Sequence, residues 1–143
     1  MTLTRMIYVS RAAGALETAE VDDILEAARI NNARLDITGL LLFDGTNFMQ
    51  LLEGPNSDLQ SLFETIAADK RHENVIRILL EDTEERQFPG WSMGYSFVEA
   101  GHSLQGKDWF PLTHGSLKAA LPSRLDPTVR VLFTSFLSVP KAA

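Results

Sequence analysis

The sequence predicts an α+β fold in which two helices alternate with strands in the order β-α-β-β-α-β, followed by one more strand. Three observations carry this. Helix-length stretches with an apolar stripe sit between shorter apolar runs. "ITGLLLFDGTNFMQLLEG" reads as two apolar runs joined at Asp44-Gly45, a strong hairpin turn signal. The run from Leu40 to Phe43 is apolar at every position, so both faces of that strand must be covered. With 143 residues the chain is expected to form a single compact unit.

Taken in order, "LTRMIYVS" (3–10) is a strand. From Glu17 to Asn32 the pattern turns helical, with Val21, Ile24, Leu25 and Ala28 at i, i+3, i+4 and i+7. The hairpin follows. "GPNSD" then opens a second helix with Pro and capping residues, and its stripe is Leu59, Leu62, Phe63 and Ile66. "DKRHEN" (69–74) reads as a polar loop, "VIRILLED" (75–82) as a fourth strand, and "WSMGYSFV" (91–98), after a turn at "QFPG", as a short fifth. This order is the ferredoxin-like arrangement, with both helices on one face of the sheet. Beyond residue 98 the chain is irregular until "DPTVRVLFTSFLSV" (126–139), where Asp126 caps and Pro127 starts a C-terminal helix. That helix is expected to cover the second face of the sheet. The expected division is a unit over residues 1–98 and a helical extension over 99–143.

Bulk properties remove several classes of function. The net charge of -6 and the absence of a Lys/Arg run argue against a nucleic-acid surface. With no cysteine, there is no disulfide, thiolate metal site or cysteine nucleophile. The three histidines, His72, His102 and His114, are too scattered for a zinc motif. No apolar stretch approaches the ~18 residues of a membrane span, and "MTLTRMIYVS" lacks the form of a secretory signal. A cytoplasmic protein without membrane contact is expected.

The polar residues within the apolar pattern carry the functional reading. In "FMQLLEG", Phe48, Gln50 and Leu52 share one strand face, while Met49, Leu51 and Glu53 share the other. A buried amide without a partner costs about 1–3 kcal/mol, so Gln50 needs one. The strands preceding the two helices are the central pair of this fold, which puts Tyr8 within reach of Gln50. The first helix delivers Asn31 and Asn32 at its end. A slot between the helices would then have walls from Ile24 and Ile66, a floor of Asn32, Gln50 and Tyr8, and Arg71 and His72 at its mouth. Such a slot suits a flat heterocycle with carbonyls and ring nitrogens along one edge. Each residue also has a plain structural reading: a satisfied core amide for Gln50, C-capping for Asn31-Asn32, packing for Tyr8, a core stripe for Trp91 and Met93 with Tyr95 and Phe97, and solvation for Arg71 and His72.

The chain resembles the BLUF family of flavin-based blue-light sensors. The matching segments are "IYVS" (7–10), "ARINNARLDITGLLLFDGTNFMQLLEGP" (28–55), "ADKRHENV" (68–75) and "RQFPGWSMGY" (86–95). The resemblance implies a noncovalent flavin, usually FAD, between the two helices. It implies that Tyr8 is the photochemical donor of an electron and a proton, and that Gln50 bridges it to the flavin and rearranges on illumination. Asn32 and Asn31 would meet the ring's carbonyl edge, and Ile24 and Ile66 would sandwich the ring. Asp69, Arg71 and His72 would lie at its edge or by the ribityl-phosphate side. Trp91 and Met93 would form the switchable pair on the fifth strand. The family's short members, which the tail resembles, form oligomers and act on a separate protein partner. Lys70 stands where the family pattern often has proline, which bears on the local loop. No activated nucleophile, catalytic carboxylate pair or metal site is visible, so an enzyme is not expected. The alternatives are a light-insensitive interaction module or a small enzyme on the same fold.

Overall fold

The structure is a computed structural model. It describes residues 2–14, 18–88, 94–97, 109–111 and 121–136. The elements are β1 (Leu3–Ala12), α1 (Thr18–Leu35), β2 (Thr38–Phe43), β3 (Asn47–Gly54), α2 (Asn56–Ala68), β4 (His72–Thr83), β5 (Gly94–Phe97), β6 (Trp109–Pro111) and α3 (Pro127–Phe136). The strands form a six-stranded sheet in the order β4-β1-β3-β2-β5-β6. β1, β2, β3 and β4 pair antiparallel, in the ferredoxin-like arrangement. β5 joins the free edge of β2 in parallel, and β6 adds parallel to β5.

Side-chain alternation divides the sheet into two cores. On one face Met6, Tyr8, Leu41, Phe43, Phe48 and Leu52 meet Leu59 of α2, with Ile24, Leu62, Phe63 and Ile66 of the two helices packed against them. On the other, Ile7, Leu40, Leu42, Met49 and Leu51 meet Phe88, Leu121, Leu125 and, from α3, Val129, Phe133 and Phe136. The uninterrupted apolar run of β2 is therefore covered on both sides, with α3 as the second cover.

Local chemistry sets the connections. Asp44 Oδ1 accepts from the backbone N–H of Thr46 (2.9 Å) and Asn47 (2.7 Å), and Gly45 takes φ 96°. The hairpin connection thus spans three residues, Asp44 to Thr46. At Gly39 a Cβ would lie 1.9 Å from the Leu51 carbonyl oxygen, so only glycine allows β2 this close to β3.

A buried carboxylate ties the sheet to α3. Glu53, fully buried, accepts from the backbone N–H of Gln87 (2.7 Å) and Phe88 (2.9 Å) and lies 3.6 Å from Arg5 Nε. Burial pushes its carboxyl group above the usual range, opposed by those two N–H bonds and Arg5. Gln87 Oε1 in turn accepts from Asp126 N–H at the start of α3 (2.9 Å).

Several boundaries differ from the sequence expectation. α1 runs to Leu35 and closes through Asp36 at φ 58°, so Asn31 and Asn32 lie within the helix and do not cap it. Pro55 occupies the cap position of α2 without a side-chain bond. β4 begins at His72, so half of the expected polar loop is strand. β6 falls in the stretch expected to be irregular; three residues are too short a run for a periodicity signal. The expected strand over 91–98 is described at 94–97, and Trp91 and Met93 lie outside the described residues.

Phe133 fills the α3-side core and is fully buried, with Phe88 6.2 Å away. Phe133→Ala should lower unfolding free energy by about 3–5 kcal/mol in chemical denaturation, without displacing the helix-side core. A loss below about 1 kcal/mol would mean that α3 does not cover the sheet.

Candidate functional site

Between α1 and α2 the helix-side face opens into a cleft of about 630 Å³, counting the space at its mouth. Strands supply its floor through Tyr8, Leu41 and Gln50. α1 supplies one wall through Ile24, Ala27, Ala28, Asn31 and Asn32, and α2 the other through Leu62, Thr65 and Ile66. Asp69, Arg71 and His72 line it as well. The two walls follow from helical spacing: residues 24, 27, 28 and 31, and residues 62, 65, 66 and 69, each recur at i, i+3, i+4 and i+7. The nine cleft residues expected from the sequence, Tyr8, Ile24, Asn31, Asn32, Gln50, Ile66, Asp69, Arg71 and His72, all line it. Ala27, Ala28, Leu41, Leu62 and Thr65 line it too; Ala28 and Leu62 belong to the helical stripes, Ala27 and Thr65 follow from the helical spacing at Ile24 and Ile66, and Leu41 lies opposite Gln50.

Tyr8 and Gln50 are direct ladder partners on the central strands β1 and β3. Their side chains leave the sheet on the same face, and Tyr8 O–H donates to Gln50 Oε1 at 2.5 Å. Both are buried, Tyr8 at 1% and Gln50 at 4% exposure. Burial, aided by the negative charge of Asp69, raises the Tyr8 phenol well above its ordinary range, so it stays protonated at neutral pH. The edge of its ring packs at 6.0 Å from Phe63 of α2.

Asn32 is completely buried, whereas Asn31, one residue earlier, is exposed and accepts from Arg34 at 3.4 Å. Of the two amides, Asn32 therefore belongs to the depth of the cleft. Arg71 and Asp69 form a bidentate pair, with Nη2 to Oδ2 at 2.6 Å and Nε to Oδ1 at 3.0 Å. These bonds hold the Asp69 carboxyl below its usual range and the Arg71 guanidinium above its own.

His72 lines the cleft as expected, and the plain alternative of a solvated loop residue does not hold. As the first residue of β4, ladder partner of Ala12, it is buried, with Nδ1 2.9 Å from Ser10 Oγ. Its ring lies 4.7 Å from Phe48 and 6.4 Å from Tyr8. Burial lowers its pKa, Asp69 works against that, and Arg71 adds to it. Among the described residues no group of acidic or histidine side chains could hold a metal ion. No helix there is long and apolar enough to cross a membrane.

Apolar walls, a buried amide and phenol on the floor, and charged groups grouped together are the lining that would suit a flat, polar-edged molecule. The model of the BLUF family, described as sensors of blue-light using FAD, matches residues 3–94, and the chain belongs to this family. The blue light- and temperature-regulated antirepressor BluF of Escherichia coli is 34% identical over 86 residues, which are 60% of this chain and 21% of that protein. The photoactivated adenylate cyclase subunit beta of Euglena longa is 34% identical over 93 residues, 64% of this chain and 11% of that one. The chain thus spans about a fifth or less of these relatives. Among solved structures, the BLUF protein BlrB in its dark state is 41% identical with TM-score 0.65, over 67% of this chain and 73% of that one. Klebsiella pneumoniae BlrP1 with FMN and cyclic diGMP is 27% identical with TM-score 0.77, over 95% of this chain and 34% of that one.

Because the fold depresses the His72 pKa, the neutral ring contributes stability that is present above about pH 6.5 and lost as pH falls below it. The unfolding midpoint should therefore drop between pH 7.5 and 5.5, and His72→Gln should flatten this part of the profile. An unchanged slope in the variant would place the titrating group elsewhere.

Proposed function

We propose that this chain senses blue light through a flavin, FAD by preference, held noncovalently in the cleft between α1 and α2. The observation that carries the reading is the Tyr8–Gln50 hydrogen bond on the floor of that cleft, in a member of a blue-light sensor family. The cleft residues fit such a group. Ile24 and Ile66 would lie against its two faces, Asn32 and Gln50 would meet its carbonyl edge, and Asn31 would stand nearer the opening. Asp69, Arg71 and His72 would border its edge or its ribityl-phosphate side.

When bound, the flavin supplies the blue-light absorption and the excited-state electron acceptor. Tyr8 supplies the electron. Burial keeps its proton on Oη in the dark, so proton loss accompanies electron loss and does not precede it. The existing hydrogen bond directs that proton to Gln50 Oε1. An amide has one accepting and one donating end, so rotation or tautomerisation of Gln50 exchanges what it offers on either side. Return of both the electron and the proton to Tyr8 then restores the phenol and leaves Gln50 in a different bonding arrangement, which reverts thermally. Burial of both Tyr8 and Gln50 keeps bulk water from competing for this bond.

Output in this reading is conformational and not catalytic. Rearranging a buried hydrogen-bond set is worth about 1–3 kcal/mol, the size of an ordinary allosteric coupling. The proposed path leads from Gln50 to Trp91 and Met93 ahead of β5, and across the sheet to α3. Residues 1–98 would act as the photosensory unit and 99–143 as the extension that carries the signal. The chain would assemble as a homo-oligomer and act on a separate protein partner in the cytoplasm. The acidic composition agrees with protein contact over nucleic acid.

The test is the visible spectrum of the purified chain before and after a blue flash. It should be yellow and show a small, thermally reversible red shift. Tyr8→Phe and Gln50→Leu should retain flavin and lose the shift. A normal shift in either variant would overturn the roles given to that pair. A chain that stays colourless with added flavin would instead be a binding module on the same fold.

A further inference from the structure

Ser10 lies outside the cleft and outside the set of residues assigned to flavin. It occupies an irregularity where the register between β1 and β4 shifts between Val9 and Arg11. Its hydroxyl reaches His72 Nδ1 at 2.9 Å, and Ser10 is only 5% exposed. Ser10 borders a second hollow, beside Arg11, Asn47, Asn74 and Phe136, while His72 borders the cleft. The imidazole therefore stands between the two, with Nδ1 turned to Ser10 and Nε2 remaining for a molecule in the cleft.

The neutral ring carries one proton, and the Ser10 contact decides which nitrogen holds it. If Nδ1–H donated to Ser10 Oγ, the hydroxyl proton would need a second acceptor. Among the described residues Ser10 has no other side-chain hydrogen bond, and a buried unpaired donor costs about 1–3 kcal/mol. If Ser10 O–H donates to Nδ1, the hydroxyl is satisfied and the ring proton sits on Nε2. The apolar ring of Phe48 at 4.7 Å favours the neutral form.

We propose that Ser10 is a positioning residue that fixes His72 as the Nε2–H tautomer, so that His72 presents a hydrogen-bond donor to the oxygen-bearing edge of the flavin. This rests on the flavin reading. It would explain a serine beneath an imidazole that lines a cleft whose charged groups, Asp69 and Arg71, already satisfy each other.

The test is nitrogen-15 NMR of the imidazole in the full-length chain, with and without FAD, in the wild type, Ser10→Ala and Ser10→Thr. The wild type should show the proton on Nε2 in both states. Ser10→Ala should show a mixture of tautomers and bind FAD about 3- to 10-fold more weakly, while Ser10→Thr restores both properties. A wild-type ring protonated on Nδ1 would overturn the proposal whatever the variants do. So would an unchanged tautomer and affinity in Ser10→Ala. Failure of the wild type to bind FAD at all would instead overturn the flavin reading.

Discussion

The hydrogen bond from Tyr8 to Gln50 depends on a single constraint: β1 and β3 must be neighbours in the register that puts these two residues opposite each other. A shift of one residue would turn Gln50 toward α3 and leave Tyr8 facing an aliphatic side chain. The register is secured from both sides of the sheet. Tyr8 and Gln50 share their face with Met6, Phe48 and Leu52, while Ile7, Met49 and Leu51 fill the face beneath α3. Neither strand can slip without exposing one of the two cores. The polar pair is thus held by the apolar residues on either side of it, which is how a buried amide and phenol can meet at a fixed distance.

The same strand links the two faces. Gln50 points into the cleft, and Glu53, three residues later, points to the other side. There it holds the backbone of Gln87 and Phe88, and Gln87 holds the first turn of α3. Any change in β3 driven by Gln50 would thereby meet a hydrogen-bonded connection to α3. Arg86 strengthens the joint by donating to the carbonyl oxygens of Glu53 (3.0 Å) and Asp36 (2.7 Å).

Much of this was legible in the sequence because it rests on periodicity. The period-2 pattern of "FMQLLEG" put Gln50 among Phe48 and Leu52, and the element order made β1 its neighbour. The helical stripes carried Ile24 and Ile66 to the same cleft. The rest depends on tertiary partners that no local pattern encodes. The sequence reading sets His72 at the mouth of the slot, after three charged residues in "DKRH", but not its burial: pairing of β4 with Ala12 draws it inside, where Ser10 and Phe48 surround it. Glu53 shares an apolar face with Met49 and Leu51, but its ligands come from residues 87 and 88, more than thirty positions away. Asn31 and Asn32 differ in burial because α1 extends to Leu35, and the boundary of a helix is its least legible feature.

In the proposed mechanism the Gln50 amide changes its bonding when the protein absorbs light. The most direct measurement is the light-minus-dark infrared difference spectrum of flavin-loaded protein carrying isotope-labelled glutamine. An isotope-sensitive change in a glutamine side-chain carbonyl band is expected in the wild type and should be abolished in Tyr8→Phe. A light-induced red shift in the visible spectrum, with no glutamine band in the infrared difference, would contradict that mechanism.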